Sequence, residues 1–243
     1  MSSLCGAPQV HCDQRLEFIW LVLVLVLAPG GFVPPLGQAA QNATGPNVPL
    51  SPDEQAWLDA HREIRMAPDP NFAPIEWIDD RGQYHGLAAD LVSLIEGRLG
   101  IKFKLVALQD WDEVLARARS RDVDLLPSAA ETRERREFLS FTSSHIDLPG
   151  VILTSTAGSN AWTLEDLEGH TVAVVSGNYW AEILRDKHPG IQLEIVSSTT
   201  EGLDKTSSSA VSAMVADTAT AMHYAEKLGI KNLRVAGQTG YSY

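Results

Sequence analysis

Thr132 and Arg135 stand three positions apart at the start of a predicted helix, just before the apolar stretch 138–142. Residues at this spacing lie on the same side of a helical turn. Because Arg offers a planar fork of donors and a helix start adds free N–H groups, the pair could bind a carboxylate. The alternative is a solvated charged helix face, since the segment also alternates charges at Glu131, Arg133, Glu134, Arg136 and Glu137.

The overall charge limits the class of partner. The 243 residues carry a formal net charge of −12, which argues against nucleic acid, because phosphates require a basic surface. A small ligand is not excluded, since a pocket can be basic on an acidic protein. The chain has no nucleophile motif, no paired His at metal spacing and no Gly-rich phosphate loop. No catalytic residue, metal site or cofactor is therefore predicted.

The first 39 residues are predicted to be a signal peptide. The apolar run from Ile19 to Ala28 is shorter than the roughly 20 residues that span a bilayer, and it fits a secretory h-region. Cleavage is expected after Ala39, and residues 40–50 have linker composition. Since Arg15 is the only Arg or Lys before the run, an uncleaved anchor or a start codon placed too far upstream remains an alternative. Both cysteines precede the run, so the exported part would have no disulfide.

Strand and helix patterns alternate from Ser51 onward. Ser51, Pro52 and Glu54 predict a helix start, and Gly100 ends a helix whose leucines recur at helical spacing. The predicted strands are 64–67, 103–108, 124–126, 138–141, 151–155, 171–175, 191–197, 213–215 and 233–236. The predicted helices between them include 87–99, 111–118, one beginning at Thr132, 179–187, 200–205 and 218–228. Such alternation implies an α/β fold with mainly parallel sheets.

The motif around Arg135 resembles extracellular solute-binding protein family 3, whose members hold amino acids between two lobes. The residues that carry this resemblance are Asp-x-Asp-Leu-Leu-Pro at 122–127, Thr132-x-x-Arg135 and Phe141-Thr142. Residues 69–74, Gly82-x-x-x-Gly86 and residues 163–174 are similar to the family's first loop, first helix entry and start of lobe two. The resemblance implies a two-lobed periplasmic-binding (Venus-flytrap) fold with parallel-rich sheets, with lobe one at 51–155 and lobe two at 156–243.

Two segments resemble the sensor branch of that family, which includes virulence-sensor histidine kinases and some diguanylate cyclases. They are residues 50–58, which would form a helix before strand one, and residues 111–115. Since family chains return to lobe one after a strand like 233–236, we expect this chain to stop before that return, with lobe one incomplete at its C-terminus.

The resemblance implies a periplasmic domain that binds an amino acid or related carboxylate as the input of a transmembrane sensor. The expected partner is then a membrane signalling module. The alternative is the substrate-binding component of an ABC amino-acid importer, with a permease as partner. An enzyme on the same scaffold is a third hypothesis, which no motif favours; Glu76 is the one carboxylate predicted at the cleft mouth.

The resemblance also assigns the ligand site. Arg135 matches the family arginine that pairs with the ligand's α-carboxylate, and Thr132 matches the hydroxyl beside it. Gly177 and Asn178 match the helix N-terminal turn in lobe two whose N–H groups complete carboxylate binding. Asp217 matches the acid that takes the ligand's ammonium group.

Three alternatives stay open at this predicted site. Asp217 could instead be the N-cap of the following helix. Phe72 could stack on the ligand or simply fill lobe one. Asn178 stands where the family usually has a small Thr or Ser, so this wall of the pocket is expected to be unusual.

Overall fold

Helix α1 (Pro52–Ala60) begins at a complete capping box, as predicted. Ser51 Oγ accepts from the Glu54 N–H, and the Glu54 carboxylate accepts from the Ser51 N–H. The computed structural model describes residues 48–158 and 161–243. The predicted signal peptide, its cleavage site, the two cysteines and most of the linker lie outside these residues. None of the helices in the described part combines the length and apolar content that a membrane span requires.

The first lobe contains two small sheets. Strand β1 (Ile64–Met66) pairs in parallel with β5 (Phe103–Leu105). The second sheet is antiparallel, in the order β2 (Asn71–Phe72), β3 (Glu76–Ile78) and β4 (Tyr84–His85). The predicted strand at 124–126 is reduced to a single parallel bridge between Leu125 and Met66.

Helices α2 (Leu87–Leu99) and α3 (Trp111–Arg119) complete this lobe. Helix α2 has the predicted bounds and ends at Gly100, whose φ of 67° is left-handed. Its buried residues are Ala88 and Val92, whereas its large side chains Leu87 and Leu94 are exposed. The leucine spacing therefore predicted the helix correctly but not the face by which it packs.

The second lobe is one five-stranded sheet in the order β10-β6-β9-β7-β8. Strand β7 pairs in parallel with β8 and β9, whereas β6 runs antiparallel to both β9 and β10, so the sheet is mixed. The strands are β6 (Pro149–Ser155), β7 (Thr171–Val175), β8 (Gln192–Val196), β9 (Ala213–Asp217) and β10 (Leu233–Ser242). The helices are α4 (Tyr179–Lys187), α5 (Thr199–Ser207) and α6 (Thr218–Lys227).

Helices cover both faces of this sheet because strand side chains alternate in direction. On one face Ile152, Val174 and Val215 pack with Trp180 and Leu184 of α4. On the other face lie Val151, Ala173, Met214, Leu203 of α5 and Ala221 of α6. This layering orients the N-terminus of α4 and the C-terminal end of β9 toward the first lobe.

Three local predictions were wrong. The helix expected from Thr132 is only a 3-10 turn at Arg135–Glu137, because the Arg135 side chain is held in tertiary contacts. Residues 138–141 form no strand, since Phe138 and Leu139 pack as loop residues on lobe one. The strand predicted at 151–155 is present as part of β6, but it does not belong to lobe one as expected. It pairs with β9 and β10 in the sheet of the second lobe.

Candidate functional site

The Arg135 guanidinium lies at the junction of the two lobes and is almost completely buried, with 2% of the residue exposed. Its Nη1 donates to the Ala130 carbonyl at 3.0 Å and its Nη2 to the Gly177 carbonyl at 2.8 Å. Its Nε donates to Glu182 Oε1 at 3.0 Å, and Trp111 lies against the guanidinium at 5.4 Å. The arginine predicted to bind a ligand carboxylate thus contacts a carboxylate of its own chain.

Thr132 lies beside Arg135 but supports the backbone. Its Oγ1 accepts from the N–H of Arg135, the first residue of the 3-10 turn, at 3.1 Å. This 3-10 turn positions the backbone of Arg135 so that its side chain reaches the Gly177 carbonyl in lobe two. Thr132 Oγ1 thus bonds to the main chain of Arg135, and its role as a ligand-binding hydroxyl stays a prediction.

Gly177 and Asn178 form the turn before α4, as predicted. Gly177 has a φ of +61°, a conformation that costs other residues energy, and its carbonyl accepts from both Arg135 and Trp111 Nε1. The Asn178 side chain accepts from the Trp180 N–H and caps the helix. It is the Gly177 carbonyl that contacts Arg135, whereas the Asn178 N–H donates to the Val175 carbonyl.

Asp217 lies at the end of β9 and is 2% exposed. Its Oδ1 accepts from the Thr220 N–H at 2.8 Å, so it is the N-cap of α6. Its Oδ2 accepts from the Tyr243 hydroxyl at 3.3 Å, and burial raises the pKa of its carboxyl. The N-cap alternative is therefore confirmed, and the second carboxylate oxygen is bonded to the Tyr243 hydroxyl.

Phe72 is buried and packs with Ile75 and Leu148, and its ring stacks with that of Tyr243 at 6.2 Å between centroids. It also lines a cavity of about 360 Å³ between the lobes. Lobe one contributes Asp69, Asn71, Phe72 and residues 110–112 to this cavity, and lobe two contributes 175–176, 178 and 195–199. Phe72 and Asn178 are the predicted site residues that line it.

Two carboxyl groups with raised pKa values meet at the first loop of the site: Asp69, which lines the cavity, and Glu76, which is fully buried. The Asp69 N–H donates to Glu76 Oε1 at 3.0 Å, and the Tyr84 hydroxyl donates to Glu76 Oε2 at 2.8 Å. Burial raises the pKa of Glu76 to about 8 and that of Asp69 to about 6. Glu76 is fully buried and does not lie at the cleft mouth, so its predicted position was wrong.

Other hydrogen bonds between the lobes had not been predicted. Ser176 Oγ donates to Asp112 Oδ2 at 2.8 Å, and the Tyr224 hydroxyl donates to the Asn71 carbonyl at 3.1 Å. Together with the bond from Trp111 to Gly177, they hold the first loop and the start of α3 against lobe two. In the sequence, only the resemblance to the sensor branch of the family had indicated a role for residues 111–115.

A family model described as bacterial extracellular solute-binding proteins, family 3, matches residues 64–230. The chain belongs to this family. Its crystallographic neighbours include the periplasmic VFT2 domain of BvgS from Bordetella pertussis, with a TM-score of 0.69 and 24% identity, covering 79% of this chain and 82% of that one. The predicted family and the two-lobed Venus-flytrap fold are thereby confirmed.

This family 3 chain is similar in sequence to proteins of two kinds. It is 24% identical over 183 residues to the virulence sensor protein BvgS of Bordetella pertussis, a match covering 75% of this chain and 15% of BvgS. It is 22% identical over 184 residues to a probable amino-acid ABC transporter-binding protein of Haemophilus influenzae, covering 75% of this chain and 70% of that protein. The chain therefore spans a small part of the sensor and most of the transporter-type relative.

Proposed function

We propose that this domain binds a small solute, an amino acid or related carboxylate, between its two lobes. The observation that carries the proposal is the Arg135 guanidinium, which comes from lobe one, is buried, and reaches the Gly177 turn of lobe two. Beside it lies a cavity of about 360 Å³, within the size range of small-molecule sites of roughly 300–1,000 Å³. Phe72 and Trp111 supply apolar walls to this cavity.

The charges around the junction suit a zwitterion. Arg135 supplies the cation for a carboxylate, and Asp217 supplies an anion for an ammonium group, with Thr132, Gly177 and Asn178 positioning the clamp. A zwitterionic solute would offer its carboxylate to Arg135 and its ammonium group to Asp217. Binding without turnover is the expected activity.

The direct test is isothermal titration calorimetry of the protein with each of the twenty standard amino acids. Saturable heat with at least one of them, lost in Arg135→Ala, is the expected result. No heat with any of them would contradict the amino-acid proposal.

We further propose that the domain is periplasmic and is the input domain of a transmembrane sensor, which similarity to BvgS supports. A substrate-binding role for an ABC importer is the second candidate, which similarity to the Haemophilus protein favours. The reading frame that follows codon 243 at the native locus distinguishes them. A frame that encodes an apolar span of about 20 residues and a kinase or cyclase supports the sensor. A frame that completes lobe one and then stops supports the importer.

A further inference from the structure

Arg135 and Glu182 belong to different lobes. The segment that carries Arg135 continues into Phe138 and Leu139, which pack against the core of lobe one. Glu182 lies on α4, whose Trp180 and Leu184 are in the core of lobe two. Their contact at 3.0 Å is therefore a charged bond between the lobes.

The position of Glu182 places its carboxylate beside the Gly177 turn. Glu182 lies in the first turn of α4, and its N–H donates to the Asn178 carbonyl. Side chains on a helix lean toward its N-terminus, so this carboxylate reaches back to the start of α4. A solute carboxylate bound by the Arg135 guanidinium would need the same place.

Only one of the two Glu182 carboxylate oxygens takes part in the contact with Arg135. Glu182 Oε1 accepts from Arg135 Nε and lies 3.0 Å from Nη2. Glu182 Oε2 is buried and has no hydrogen-bond partner among the described residues. An unsatisfied buried oxygen costs its desolvation energy, so a carboxylate with both oxygens paired would bind Arg135 better.

We infer that Glu182 is an internal carboxylate that occupies the Arg135 clamp, draws the lobes together, and is displaced when a solute carboxylate binds. The inference rests on the proposed function for the role of Arg135. A solute shifts the lobe arrangement only by the difference between its own interactions and those that it replaces. The Glu182–Arg135 bond therefore determines how far the cleft is closed without solute. It also sets the interaction energy that a solute carboxylate must exceed to displace Glu182.

The closing role is tested by pulsed EPR distances in the full chain. Cys5 and Cys12 are replaced by Ser, and spin labels are attached at Ser93→Cys on α2 and Asp204→Cys on α5, which are exposed positions in the two lobes. Without added amino acid, Glu182→Gln and Glu182→Ala are expected to shift the distances away from the wild-type values and broaden them. Asp186→Asn removes an equal charge one turn later on the same helix and should leave the distances unchanged. Wild-type distances in both Glu182 variants would overturn the inference.

The displacement is tested by calorimetry with amino acids on the same variants. Loss of the competing charged hydrogen bond is expected to tighten binding in Glu182→Gln by about tenfold or more. Equal affinity in Glu182→Gln and wild type would overturn the displacement.

The two measurements also separate this inference from the proposed function. Amino-acid binding with wild-type label distances in the Glu182 variants would leave the function intact and overturn the inference. Altered distances without heat from any amino acid would support closure by Glu182 and overturn the function.

Discussion

The backbone N–H of Asp69 donates to Glu76 Oε1 at 3.0 Å, which ties the first loop of the cleft to a fully buried carboxyl group. Burial raises the pKa of Glu76 from its ordinary 4.5 to about 8, against the opposing effect of the hydrogen bonds from Asp69 and Tyr84. The loop that lines the cavity is thus anchored on a group that holds its proton at neutral pH.

The first prediction concerns stability against pH. Between pH 4.5 and about 8, folded Glu76 binds more protons than the unfolded chain does. Its stabilising contribution is therefore complete below pH 4.5, and the free energy of unfolding falls as pH rises, by up to about 1.4 kcal/mol per pH unit. Glu76→Gln should remove the part of this fall between pH 6 and 8.

Urea unfolding of both proteins from pH 5 to 9 measures this slope. The fall that Asp69 contributes, through its pKa raised from 3.8 to about 6, lies mostly below pH 6 and should persist in the variant. Exposed Glu226→Gln is the control and should keep the wild-type slope. Equal slopes in Glu76→Gln and wild type would show that Glu76 does not take up a proton on folding.

The second prediction concerns the carboxylate clamp. Arg135→Ala should abolish amino-acid-induced thermal stabilisation, because the buried guanidinium that joins the lobes is lost. Arg133→Ala, two positions away and exposed, should respond to ligand as the wild type does. Differential scanning fluorimetry with a binding amino acid compares them. An equal response in both variants would mean that the assignment of Arg135 is wrong.

The third prediction separates the two roles of Asp217. Asn is as good an N-cap as Asp, so Asp217→Asn should preserve α6 while removing the charge for a ligand ammonium group. Asp217→Ala should lose about 1 kcal/mol of stability as well, since the Thr220 N–H loses its partner. Chemical unfolding reports the cap, and calorimetry with an amino acid reports the charge. Unchanged affinity in Asp217→Asn would leave Asp217 with the structural role alone.

The fourth prediction compares the two glycines of the Gly82-x-x-x-Gly86 motif. Both have positive φ, at 75° and 109°, but only Gly86 is crowded: a Cβ there would lie 2.3 Å from the Ile75 carbonyl oxygen. Gly82→Ala should cost about 1–2 kcal/mol for its backbone conformation alone. Gly86→Ala should cost more than about 3 kcal/mol, because backbone atoms must also move. Similar unfolding free energies for the two variants would contradict the close approach of Gly86 to β3.

Several elements could be predicted because their signals lie within a few residues. The capping box at Ser51, the cap at Asp110 and the left-handed stop at Gly100 each depend on neighbours along the chain. The same holds for the turn at Gly177, where a positive φ favours glycine. These caps and stops delimit most of the helices that form the two lobes.

Other features had no such signal. Whether residues after Thr132 form a helix depended on Arg135, whose donors are taken by Ala130, Gly177 and Glu182. The role of Glu182 could not be predicted, because its partner lies 47 positions away in sequence. From the sequence of α4 alone, Glu182 is an acidic residue in the first helical turn, where acids are common because they interact favourably with the helix dipole.

The sequence by itself determined the α/β class and most of the helix boundaries, because periodicity and capping act over short distances. The tertiary structure alone decided which side chains meet. The fold brings Arg135 into contact with Glu182, and it makes Asp217 a helix cap as well as a buried acid. The order of strands in the second sheet places the start of α4 next to lobe one. Such contacts depend on packing between segments far apart in the chain, which no local pattern encodes.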